Sequence, residues 1–151
     1  MSTILRRIGL PVLLAWLSAA PVAMAYGPLS PSELNKSPEK YQGKDVVVGG
    51  FALMFLDSDF DHVLYDSKRI LIQERREYIR GDHENDRDYK SPYCLTIANP
   101  EFFWPRHKNL RLHNIKVRGT FIADYLSGGR IDLGACSIGT AIWVKEIIDS
   151  W

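Results

Sequence analysis

Two stretches, residues 45–56 and 112–125, do most to limit what this chain can fold into. Both are rich in β-branched and aromatic residues, which favour extended backbone. Both also carry glycine in mid-run, Gly49-Gly50 in the first and Gly119 in the second. Glycine inside a strand marks a bulge or a sharp coil. Long strands that bend belong to small barrels, where glycines and bulges absorb the turn at each corner. His62–Tyr65 and residues 93–98 are further β segments, and residues 130–136, after the hairpin turn Ser127-Gly128-Gly129, and 141–148 make the last two, with five main β segments among them. The fold class is mostly β.

The N-terminus supplies an address. Arg6 and Arg7 open it, residues 8–20 are a mostly apolar run broken by Gly9 and Pro11, and Ala23-Met24-Ala25 is the small-x-small pattern a signal peptidase cuts. The run is too short for a spanning helix, which needs about 20 predominantly apolar residues. Residues 1–25 are expected to be a cleaved signal peptide, and residues 26–151 one exported domain with the periplasm as its destination. The arginine pair also invites a twin-arginine signal, but Leu5 stands where that signal carries a polar residue, so ordinary export is expected. No second apolar run is long enough to span a bilayer.

Without the first 25 residues the chain holds 17 Lys plus Arg against 18 Asp plus Glu, a formal charge of −1. Such a balance gives no field for general nucleic-acid or anionic-membrane binding. The remaining 126 residues are enough to bury one core.

Ser30-Pro31-Ser32-Glu33 starts a helix: Ser30 caps it, Pro31 suits its first position, and Glu33 completes a capping box. Ser37-Pro38 then interrupts it and begins a turn ending near Gly43. Residues 68–90 form a charged insertion, with thirteen of 23 residues charged and Ile70-Leu71-Ile72 and Tyr78-Ile79 as anchors. It reads as a short strand or helix followed by a solvated loop from Gly81, outside the core and the most mobile part of the domain.

Cys94 and Cys136 are the only cysteines, and two thiols in one small exported domain are expected to pair. Two buried free thiols, or a redox or nucleophilic cysteine, are the alternatives. Asp57-Ser58-Asp59-Phe60-Asp61 opens like a calcium loop, but His62 and Lys68 stand where Gly and a bidentate Glu are required, so it reads as an acidic turn. Ala135-Cys136-Ser137-Ile138-Gly139 resembles a nucleophile elbow, yet no histidine follows it to complete a triad. Asp82-His83-Glu84-Asn85-Asp86 and Asp88 lack metal-ligand spacing. No catalytic residue, metal or cofactor is therefore expected.

Several short motifs resemble a family of small exported bacterial proteins with an OB-like fold. They are Pro38-Glu39-Lys40-Tyr41, Val46-x-Val48-x-Gly50, Leu64-Tyr65-x-Ser67, Ile115-x-Val117-x-Gly119-Thr120-Phe121 and Ile142-Trp143-Val144-Lys145-Glu146-Ile147. The resemblance implies a single five-stranded OB-like barrel and an exported address, without an activity. OB folds bind ligands on their second and third strands, using aromatic stacking and basic side chains. Tyr65, Arg69, Arg75, Arg76, Tyr93 and Trp104 are the candidates for such a face. The expected function is an exported, non-catalytic binding or interaction module for a small ligand. The alternatives are an accessory or inhibitor of another envelope protein, and a small hydrolase with an unrecognised site.

Overall fold

A computed structural model describes residues 27–54, 62–81, 91–126, 136 and 139–151. Within them five strands form a closed barrel: β1 (Asp45–Met54), β2 (His62–Tyr65), β3 (Cys94–Ile97), β4 (Asn114–Ile122) and β5 (Ala141–Ser150). The order around the barrel is β1-β2-β3-β5-β4. Neighbours are antiparallel except β3 and β5, which run parallel. This is the OB-like architecture the sequence leads one to expect. The signal segment, the turn at 57–61, residues 82–90 and the β segment at 130–136, apart from Cys136, lie outside the described residues.

The barrel turns about β1. Its first half pairs with β4, from Asp45↔Thr120 to Phe51↔Asn114, and its second half with β2, from Phe51↔Tyr65 to Met54↔His62. Gly50 lies at the changeover, where a Cβ would run into the Tyr65 carbonyl oxygen and the Leu64 side chain. The β1–β4 register passes Gly49 and Gly50 without a shift, so these glycines permit close approach and make no bulge. Register shifts occur instead between β4 and β5, at Lys116/Val117 and Arg118/Gly119.

Side-chain alternation sends Val48, Ala52, Leu64, Leu95, Val117 and Ile142 into the barrel. Leu34, from α1 (Pro31–Asn35), and Phe103, from a 3-10 helix (Pro100–Arg106), enter the same core. The helix α1 has its complete capping box: the Glu33 N–H donates to Ser30 Oγ at 3.3 Å, and the Ser30 N–H donates to Glu33 Oε2 at 2.7 Å. The Ser30 N–H, and then its hydroxyl, hold the Glu33 carboxyl below the usual carboxylate range. The turn expected after Ser37-Pro38 is a single-turn helix, α2 (Pro38–Tyr41), and Gly43 follows at φ +70°.

The shortest ladder closes the barrel. The β3–β5 pairing has two register pairs, Thr96↔Ala141 and Ile97↔Ile142. The Ala98 N–H extends it, donating to the Ile142 carbonyl at 2.9 Å. Beyond that point the Asn99 side chain imitates one more strand residue. Its Nδ2 donates to the Val144 carbonyl at 2.8 Å, and its Oδ1 accepts from the Val144 N–H at 2.7 Å.

A second, smaller core lies outside the barrel. Alternation places Leu53, Val63, Tyr65 and Cys94 on the outer face of β1, β2 and β3, where they cluster with Cys136. The expected disulfide joins Cys94 to Cys136, with Cα atoms 5.6 Å apart. The cover is α3 (Lys68–Arg80), which packs Ile70 and Leu71 onto this cluster. The first half of the charged segment is therefore a helix that helps bury a core, contrary to the expectation that the segment stands wholly apart. Ile70 and Leu71 supply apolar surface for that, while the basic side chains sit on the exposed side. No helix among the described residues is long and apolar enough to cross a membrane.

Candidate anion-binding face

The helix α3 is fixed at both ends. Ser67 caps its start, its Oγ accepting from the Ile70 N–H at 3.3 Å and its carbonyl from the Leu71 N–H at 3.2 Å. Gly81, at φ +73°, ends it in the left-handed conformation that favours glycine. Between the ends, one side of the helix is committed to the second core through Ile70 and Leu71. What the other side presents follows from about 100° of rotation per residue.

Ile72 and Ile79 are seven residues apart and so lie within roughly 20° of each other. They form one outward stripe, 41% and 73% exposed. Lys68 and Arg75 share the same seven-residue spacing and flank the stripe on one side, and Arg69 and Arg76 flank it on the other. Arg80 follows on the Arg69/Arg76 side. Lys68, Arg69, Arg75, Arg76 and Arg80 are all exposed. The two acidic residues of α3, Glu74 and Glu77, fall about 150° from the stripe. Glu74 accepts from Ser91 Oγ, and Glu77 accepts from Gln73 Nε2 at 3.0 Å.

Lys68, Arg69, Ile72, Gln73, Arg76 and Arg80 line a hollow of about 620 Å³. Every described residue that lines it belongs to α3, so it is an open depression along the helix face and not an enclosed cleft. No acidic side chain of a described residue lines it. Two ion pairs lie on the β1–β4–β5 side of the barrel. Lys145 Nζ donates to Asp45 Oδ1 at 2.6 Å, Thr120 Oγ1 donates to the same oxygen at 2.8 Å, and Arg118 pairs with Glu146 at 2.8 Å. The Lys145 bond, then the Thr120 bond, lower the Asp45 carboxyl below its usual range. The helix α3 itself carries five basic residues against two acidic ones.

The structure divides the six residues chosen from the sequence. Arg69 and Arg76 meet at the hollow, and Arg75 stands on the opposite flank of the stripe. Tyr65 is only 4% exposed, on the outer face of β2 within the cluster that α3 covers, and offers no open ring for stacking. Tyr93, 40% exposed, lies beside the start of α3, its carbonyl accepting from the Asp66 N–H at 2.9 Å. Trp104, 59% exposed, is on the 3-10 helix beyond the other end of β3, so the two exposed aromatics belong to different regions. The outer face of β2, where an OB fold habitually binds, is occupied by the protein's own helix. Ile72, Gln73 and Ile79 were missed from the sequence as site residues, although the seven-residue spacing of like residues was visible there.

Among the described residues, no group of three or more His, Cys, Asp or Glu is placed to hold a metal ion. Comparison with protein-family models, with curated proteins and with solved structures returned no match for this chain.

Proposed function

We propose that this protein is an exported, non-catalytic binding module whose working surface is the outward face of α3, and that its ligand is anionic. The observation that supports this is the segregation of charge on one short helix. Four cations in two heptad-spaced pairs frame the Ile72–Ile79 stripe, with both glutamates turned away. The barrel and the disulfide-bonded outer core hold that helix from behind, so the face is pre-organised. Pre-organisation reduces the ordering cost of binding. The Cys94–Cys136 disulfide suits an oxidising compartment, and the N-terminal Ala23-Met24-Ala25 motif supports export to one.

The test is a thermal-shift screen of anionic and neutral ligands against the wild type and a double variant, R69Q/R76Q. A ligand that binds the native state raises the melting temperature by mass action, about 2.7 kcal/mol at a hundred times its Kd. Anions should stabilise the wild type and not the variant. A ligand that stabilises both equally, or stabilisation by neutral ligands alone, would place the working surface elsewhere.

A further inference from the structure

Resting on the anion-binding reading of α3, we infer that the occupant of this face is an anionic lipid surface, with the helix lying flat upon it. The apolar stripe has two residues, Ile72 and Ile79, and Ile79 is the most exposed of the large hydrophobic side chains described. Cations stand on both sides of that stripe: Lys68 and Arg75 on one flank, Arg69 and Arg76 on the other. Interfacial helices have this arrangement, apolar side chains reaching the acyl boundary while Lys and Arg meet the headgroups. Arg69 and Arg76 both line the open hollow beside Ile72, so that flank of the stripe offers two guanidinium groups to headgroup phosphates.

Size decides against a folded protein partner. A helix of 13 residues is about 20 Å long and about 10 Å across, a footprint of roughly 200 Å². A specific protein interface buries about 800 Å² on each partner and centres on aromatic or arginine anchors seated in pockets. The stripe presents no aromatic residue to serve as such an anchor, and its flanking arginines are the only anchors it offers over that small area. A charged plane makes no comparable demand, because each cation contributes on its own and no complementary shape is required. The near-neutral charge of the whole chain is no obstacle. The Debye length is about 8 Å at physiological salt, so a local cluster acts locally.

The experiment is co-sedimentation of the protein, purified as its cell processes it, with vesicles of phosphatidylglycerol and phosphatidylcholine in equal parts. Pure phosphatidylcholine vesicles, inositol hexaphosphate and poly-glutamate are the comparison arms. Binding should require the anionic lipid, weaken steeply between 0.1 and 0.5 M salt, and fall about fivefold for each of Arg69→Gln and Arg76→Gln. Ile72→Ser with Ile79→Ser should lower vesicle binding several-fold and leave binding of inositol hexaphosphate unchanged. All four positions are exposed, and melting temperatures within a few degrees of wild type will confirm that the variants fold. Arg-dependent binding of inositol hexaphosphate without vesicle binding would overturn the lipid inference and leave the anion-binding reading standing. Preference for poly-glutamate over vesicles would put an acidic polypeptide on the face instead. Failure to bind any of the three anions would overturn both readings.

Discussion

Replacing Asn99 should open the barrel at its closing seam. The β3–β5 ladder has two register pairs, and the Asn99 side chain adds the two bonds that occupy the Val144 N–H and carbonyl. Asn99 and Val144 are both buried. In Asn99→Ala both backbone groups of Val144 lose their partner. A buried polar group left unsatisfied costs about 1–3 kcal/mol, so the variant should lose about 3 kcal/mol in total. For a domain of this size that lowers Tm by roughly 10 °C. Urea denaturation followed by tryptophan fluorescence gives the difference from the shift in midpoint at unchanged slope.

N99D sharpens the test. One carboxylate oxygen can still accept from the Val144 N–H, but the other faces the Val144 carbonyl with nothing to donate. Burial and that facing oxygen raise the carboxyl above its unfolded value of about 3.9. A raised folded pKa means stability is greatest below the unfolded value and is lost as pH rises through the folded one. N99D should therefore be weak at neutral pH and recover towards pH 4, where the protonated carboxyl donates to the carbonyl. The difference between N99A and wild type should not follow that course. If N99A lies within about 0.5 kcal/mol of wild type, the seam does not depend on this side chain, and the reasoning fails.

Three further outcomes are expected. Removing the disulfide with C94S/C136S opens a crosslink between residues 42 apart in sequence and should cost about 4 kcal/mol, read in the same urea assay against wild type; equal midpoints would show that the outer core holds without it. Ser30→Ala should lose about 1 kcal/mol through the broken cap. Because the Glu33 pKa is lowered, its contribution is present above the unfolded value and fades as pH falls through the folded one, so Glu33→Gln should converge on wild type in acid; a gap that persists at pH 2 would contradict this. Gly50→Ala should cost about 3 kcal/mol or prevent folding, because its Cβ meets the Tyr65 carbonyl, whereas Gly27→Ala, with open space around it, should leave Tm unchanged.

Features decided within a few residues were legible in the chain itself. The capping box needs only Ser30 and Glu33, three positions apart, and it formed where expected. β-branched and aromatic residues marked the strands, and β2 has the expected bounds, because the preference of these residues for extended backbone acts locally. An even number of cysteines led to the disulfide. Ile70-Leu71-Ile72 was ambiguous for a physical reason: three apolar residues fit either period, and only the outer core that receives Ile70 and Leu71 favours the helix. Tyr65 looked like a stacking platform because sequence shows which face of β2 it is on, not whether a later helix covers that face. The cation pairs at 68/75 and 69/76 were present as letters, but they become one surface only once residues 68–80 are helical and one side is buried. Asn99 gave no signal at all, since its partner Val144 is 45 residues away and the bond exists only after the barrel closes. Local direction and capping follow from residues close together in the chain; which faces were buried and which remained open was decided by contacts between elements far apart in it, because burial is a property of the assembled surfaces.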